Sequence, residues 1–228
     1  MAIDTIVFDW SGVLSDDLEC VVEAVNDVLT YLKKEPTTTT YFRENYPDDF
    51  IDLWRSLGVT LSRKTIQELY NKQFAANKKD PSKIKPKPIN GVENVLAQLA
   101  DEQRKLIVLS THPQQFLDKE MMEYRFTLFF SKGNVHGSVY NKQSALRMIP
   151  LSPNSIIVGD TAVDMKAGNA AGIIPVGVLT GYQTREYLEH HTKYIIPTLA
   201  ELPALLKELE GNSKTFINPK SKPEYIER

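Results

Sequence analysis

The sequence predicts an α/β protein: a doubly wound parallel sheet with an all-helical segment inserted near its start. Three observations carry this. Short apolar runs, at residues 3–8 and at Lys105–Leu109, stop abruptly at polar residues, as strands buried on both faces do. Between such runs lie stretches whose apolar residues recur at three- and four-residue steps, the helical period. From residue 16 to about 77 the strand pattern disappears and only that helical period remains.

Each element follows from its own pattern. Residues 3–8 are apolar and rich in β-branched side chains, and they end at Asp9, where Ser11 and Gly12 supply a turn. Leu18, Val21, Val22, Val25, Leu29 and Leu32 make one apolar helical face, which Pro36 and the threonines at 37–40 terminate. Phe50, Leu53, Trp54 and Leu57 make a second face, and Ile66, Leu69, Tyr70 and Phe74 a third. The Pro- and Lys-rich stretch 80–88 reads as the hinge out of the insert, with Lys83, Lys85 and Lys87 as solvated linker charges. Helix 92–99 then precedes strand Lys105–Leu109. Helix 116–122 precedes a third strand at 126–130, the run FTLFF. Helix 143–148, strand 156–158 and a small-residue helix at 164–171, closed by Gly172, come next. Strand 173–179 contains Pro175, which places it toward the sheet edge. A short strand at 194–196 and a helix at 199–209 complete the pattern. The expected organisation is a core from 1–14 and 89–210, a helical cap with its hinge at 15–88, and a polar tail at 211–228.

Composition narrows the function. The 228 residues are 42% apolar, enough for a substantial core, and 27 Lys and Arg stand against 29 Asp and Glu. That balance gives no basic field for a nucleic-acid partner. Cys20 is the lone cysteine, so neither an intrachain disulfide nor a cysteine-based metal site is available. No apolar run approaches the roughly 18 residues of a membrane span, and the first residues lack a basic segment and a cleavage site. A cytoplasmic protein is the expectation.

The chemistry collects at strand ends, which in open α/β sheets is where ligands bind. Asp9 ends the first strand, Ser110 the second, and Asp160 and Asp164 stand in GDTAVD after the fourth; Lys142 precedes helix 143–148. Grouped carboxylates repel unless something neutralises them, and a hard divalent cation such as Mg²⁺ does so with oxygen ligands. Gly12 has no Cβ to hold an anion away, and the backbone N–H groups after Asp9, beginning at Trp10, can complete an anion cradle with Ser110, Thr111 and Lys142. Lys132 is a weaker candidate than Lys142 for the ammonium. His112 reads as a turn residue rather than an acid or base.

FDWSGVL, LSTHP, Lys142 and VGDTAVDMKAGNAAG, in that order and spacing, resemble the four motifs of the haloacid dehalogenase superfamily, and the helical insert resembles its first class of cap. The resemblance covers residues 3–209. It implies that Asp9 is the nucleophile of an aspartyl-phosphate mechanism, that Ser110 and Lys142 hold the phosphoryl group, and that Asp9, Asp160, Asp164 and the Ser11 backbone carbonyl surround Mg²⁺. Phosphatases of the superfamily usually carry a second Asp two residues after the nucleophile. Here that position is Ser11, a poor general acid near neutral pH. The expected activity is a Mg²⁺-dependent, phosphoglycolate-phosphatase-like hydrolysis of a small phosphorylated metabolite. The alternatives are a phosphonate-cleaving member, or a slow or degenerate one that binds phosphate or a partner with little turnover.

Overall fold

The computed structural model describes residues 2–212, and most of the predicted tail lies outside them. Strand β1 (Thr5–Phe8) leads through a short β2 (Ser15–Asp16) into helices α1 (Leu18–Tyr31), α2 (Thr39–Glu44), α3 (Phe50–Ser56) and α4 (Arg63–Lys79), and β3 (Lys87–Pro88) then returns antiparallel to β2. From there helices and strands alternate: α5 (Val92–Asp101), β4 (Lys105–Leu109), α6 (Gln114–Glu123), β5 (Val135–His136), α7 (Lys142–Met148), β6 (Ser155–Gly159), α8 (Ala162–Ala171), β7 (Ile174–Val178), α9 (Arg185–Leu188), β8 (Ile195–Ile196) and α10 (Leu202–Asn212). Gly211 and Asn212, assigned to the tail from sequence, continue α10.

The main sheet is parallel in the order β5-β4-β1-β6-β7-β8, so the first strand of the chain lies at its centre. Successive strand residues point to opposite faces. Ile6, Phe8, Val108 and Val158 therefore pack beneath Leu96 and Leu206 of α5 and α10, whereas Val7, Ile107 and Ile157 face Leu146 and Ala167 of α7 and α8. Both faces are covered, which explains why the strands read as continuous apolar runs rather than alternating ones. Val21, Val25, Leu29, Phe42, Trp54 and Ile66 belong to a separate cluster inside the helical insert.

Two expectations need correction. Residues 126–130 are not a strand: Phe126–Leu128 form a 3₁₀ turn, because Phe126 packs edge-on against Trp10 at 6.2 Å and Phe130 against Phe8 at 6.5 Å. The third strand is instead Val135–His136, too short and too polar to show as an apolar run. Of the hinge lysines, Lys83 is not a free charge: it is half-buried, 2.9 Å from Asp27 and 3.5 Å from Glu23, whereas Lys85 and Lys87 are exposed as expected. Pro175 pairs with Ile157 of β6 and is tolerated in a strand second from the edge because β8 pairs with β7 only at Gly177 and Val178, leaving no ladder partner on that side of the proline.

Candidate active site

Because β1 is central, the residue that follows it is flanked from both sides. Asp9 continues the ladder for one step, its N–H donating to the Val158 carbonyl at 2.9 Å. Asp160 follows β6 on one side and Ser110 follows β4 on the other. Lys142 opens α7, a helix capped by the Asn141 side chain accepting from the Ser144 N–H at 2.9 Å. That cap aims the buried ammonium at the sheet edge, where Lys142 Nζ lies 2.8 Å from Asp9 Oδ2 and 2.5 Å from Asp164 Oδ1. Asp9 Oδ1 accepts the Trp10 N–H at 2.7 Å, so each oxygen of Asp9 has a fixed partner. Asp164 is held at its other oxygen by the Thr161 hydroxyl at 2.6 Å.

The carboxylates of Asp9, Asp160 and Asp164 bring one oxygen each within 4.8 Å of one another, all three residues buried. Burial pushes the Asp9 carboxyl above its ordinary range although Lys142 pulls the other way. Burial pushes Asp160 up well above it, and the charges of Asp9 and Asp164 add to the push. Burial opposes the charge on Lys142 too, but Asp164 and Asp9 hold its ammonium above the ordinary value. Asp160 Oδ2 accepts the Tyr182 N–H at 2.7 Å, while Asp160 Oδ1 is buried with no partner. An unsatisfied buried carboxylate oxygen is costly. An all-oxygen donor set with that oxygen in it fits a hard divalent cation of the Mg²⁺ kind. Asp160, whose Oδ1 has no partner, is placed to hold it together with Asp9 and Asp164, whose oxygens already meet Lys142, the Trp10 N–H and the Thr161 hydroxyl.

The model of the haloacid dehalogenase-like hydrolases matches residues 6–178. The chain belongs to this family. Solved structures of similar fold include one described as a predicted phosphatase from Clostridium acetobutylicum, with a TM-score of 0.74 at 17% identity, covering 92% of this chain and 100% of that one. A haloacid dehalogenase-like protein from Agrobacterium tumefaciens gives a TM-score of 0.74 at 18% identity over 92% of this chain and 100% of the other. A predicted phosphoglycolate phosphatase from Haemophilus somnus gives 0.71 at 17% identity over 89% and 97%. No curated protein matches the chain.

In this haloacid dehalogenase-like hydrolase the motif residues do not all present their side chains. Trp10, expected at the phosphate, turns its ring into the core, where Nε1 donates to Glu120 Oε2 at 2.7 Å and the indole stacks on Tyr124 at 5.6 Å; only its N–H stays at Asp9. Gly12 makes room for a neighbouring carboxylate. Its φ is +72°, and a Cβ there would lie 2.3 Å from Asp160 Oδ2 and 2.6 Å from Gly181 Cα, so the glycine lets the loop close on Asp160. Ser110 is buried, its Oγ accepting the His112 N–H at 3.2 Å in a local turn. Ser11 and Thr111 line the cavity over Asp9. Lys132 borders a separate hollow near Met122 and Phe130.

That cavity measures about 440 Å³ and is roofed by the insert. Phe50 and Ile51 of α3 line it, and α4 contributes Gln67, Tyr70, Asn71 and Phe74. Asp17 was missed as a site residue. Buried beside Ser11, its carboxyl is pushed up to about 6 by burial, against hydrogen bonds from the Ser11 and Tyr182 hydroxyls, the latter at 3.0 Å. The doubled acid Asp16-Asp17 was the available signal. His112 is drawn to Glu120 instead of to the phosphate edge, with Nε2 3.4 Å from Oε1, and Lys78 reaches the same carboxylate from α4.

Proposed function

We propose that this chain is a Mg²⁺-dependent phosphatase that hydrolyses a small phosphorylated metabolite through an aspartyl-phosphate on Asp9. The observation that carries the reading is the clamp on Asp9: Trp10 N–H on one oxygen and Lys142 on the other, beside the unpartnered Asp160 oxygen and under the cavity. Asp9 attacks phosphorus, a P–O bond to Asp9 forms, and the ester P–O bond breaks with the leaving oxygen taking up a proton. Water then attacks the same phosphorus, releasing phosphate and restoring the carboxylate. Lys142 neutralises charge on the transferred group and keeps Asp9 oriented, and Asp164 with Thr161 keeps Lys142 in place. Mg²⁺, held by Asp9, Asp160 and the Ser11 carbonyl, would add charge neutralisation at the phosphoryl oxygens.

Ser11 is where this chain departs from the family's usual phosphatase pattern, and a hydroxyl supplies little acid catalysis near neutrality. Turnover is therefore slow on unactivated esters and faster on substrates with good leaving groups. The test is release of p-nitrophenol from p-nitrophenyl phosphate by the native chain and by Asp9→Asn, each with Mg²⁺ and with chelator. Release that requires both Asp9 and the metal supports the reading; release indifferent to either, or none at all, overturns it.

A further inference from the structure

The walls of the cavity discriminate among leaving groups, an inference that rests on the phosphatase reading above. Aromatic rings line it on several sides: Tyr46, Phe50, Tyr70 and Phe74 from the insert, Phe116 and Tyr140 from the core. Several belong to one packed series, with Phe50–Tyr70 centroids at 5.0 Å, Tyr70–Phe74 at 5.7 Å, Phe74–His112 at 6.5 Å and His112–Phe116 at 6.2 Å. Rings fixed by one another present rigid flat surfaces at small entropic cost. Two amides, Gln67 and Asn71, stand one helical turn apart on α4 in the same wall, the Gln67 Nε2 donating to Asn71 Oδ1 at 3.0 Å, which leaves the Asn71 amide N–H groups for a ligand.

Charge in the wall is already matched. Lys142 is committed to Asp9 and Asp164, and Arg63 is paired with both oxygens of Asp49. No other Lys or Arg lines the cavity among the described residues, and Asp17 adds a carboxyl group to it, as does Asp48, which is paired with Lys166 outside the lining. A leaving group carrying its own carboxylate or a further phosphate would enter an aromatic space with no free cation and several acids, an unfavourable exchange for water. A two-carbon acid would also leave most of the roughly 440 Å³ empty.

We propose that the substrate is a phosphomonoester with a flat, heteroaromatic leaving group free of carboxylate and of further phosphates, of the chemical class of the nucleoside monophosphates. The single phosphate sits at Asp9 and Lys142, the ring between the aromatic side chains, and its polar edge at Asn71.

The experiment compares kcat/KM for nucleoside 5′-monophosphates, 2-phosphoglycolate and p-nitrophenyl phosphate, and measures binding of the first two to Asp9→Asn by calorimetry. The expected result is a preference for a nucleoside monophosphate over 2-phosphoglycolate of at least ~100-fold, with the same order in binding. Asn71→Lys, an exposed helical change that adds a cation to the wall, should narrow that ratio at least ~10-fold by improving 2-phosphoglycolate. Tyr70→Ala should raise KM for the nucleotide more than it lowers kcat. If 2-phosphoglycolate equals or exceeds the nucleotides while p-nitrophenyl phosphate is hydrolysed, the substrate class is wrong and the phosphatase reading stands. If nothing is hydrolysed, the phosphatase reading falls, and the calorimetric order decides the ligand class by itself.

Discussion

At the scale of single residues the site is a balance of buried charge. Lys142 stands between Asp9 and Asp164, and removing it leaves two buried carboxylates without a cation. Lys142→Met should therefore cost about 3–5 kcal/mol, read as a fall in the urea midpoint, together with loss of turnover. Gly12→Ala meets both a left-handed backbone and the Asp160 carboxylate. Its expected cost is about 1–3 kcal/mol, and because the clash falls on Asp160 it should raise the Mg²⁺ concentration that activity requires as well. Ser11 tests the missing proton donor. Ser11→Asp alone would set a second carboxyl against Asp17, so the informative variant combines it with Asp17→Asn. That double variant should hydrolyse p-nitrophenyl phosphate and alkyl phosphates faster, with the larger gain on the alkyl esters, at least ~10-fold. An equal or smaller rate, in a variant of native stability, would show that proton supply does not limit this enzyme.

At the scale of elements, Glu120 of α6 ties the core to the insert. It accepts from Trp10 Nε1 behind the nucleophile and pairs with Lys78 of α4 and His112 beside the cavity. Burial works against its charge, yet His112 and Lys78 bring the Glu120 carboxyl down to about 2. A carboxyl depressed in the folded state stabilises above its unfolded value, near 4.5, and that stability is lost as pH falls from there through about 2. The contribution is on the order of 3 kcal/mol at neutral pH. Glu120→Gln should lower the melting temperature at pH 7 and flatten the acid limb of the stability profile, which thermal melts from pH 7 to pH 3 would show. The elements were legible in sequence wherever burial was one-sided or complete. β1, β4 and β6 are apolar runs because both faces are covered, and α1 shows its stripe because one face meets α4. The run at 126–130 misled because aromatic residues packing around Trp10 give the same composition as a buried strand, with nothing in the chain to tell a 3₁₀ turn from it.

At the scale of the molecule, the order β5-β4-β1-β6-β7-β8 converts distant sequence positions into neighbours. Asp9, Lys142, Asp160 and Asp164 could be named from sequence because each is tied to a strand end or a helix start, and those points share one edge of a parallel sheet. Asp17 and the rings of α4 could not be placed, since their position depends on how the insert folds back over that edge, which no local pattern encodes. A divalent cation bound at Asp160 should stabilise the whole fold by mass action, raising the melting temperature as Mg²⁺ is added to the native chain and failing to do so in Asp160→Asn. The paired ribbon of β2 and β3 has a consequence of another kind. The Ile89 N–H donates to the Leu14 carbonyl at 3.1 Å, so the polypeptide leaves the sheet and rejoins it at the same spot. Some seventy intervening residues can thus be exchanged for a different excursion without disturbing the strand order beneath. What the catalyst accepts is free to diverge while the way it breaks the bond stays put.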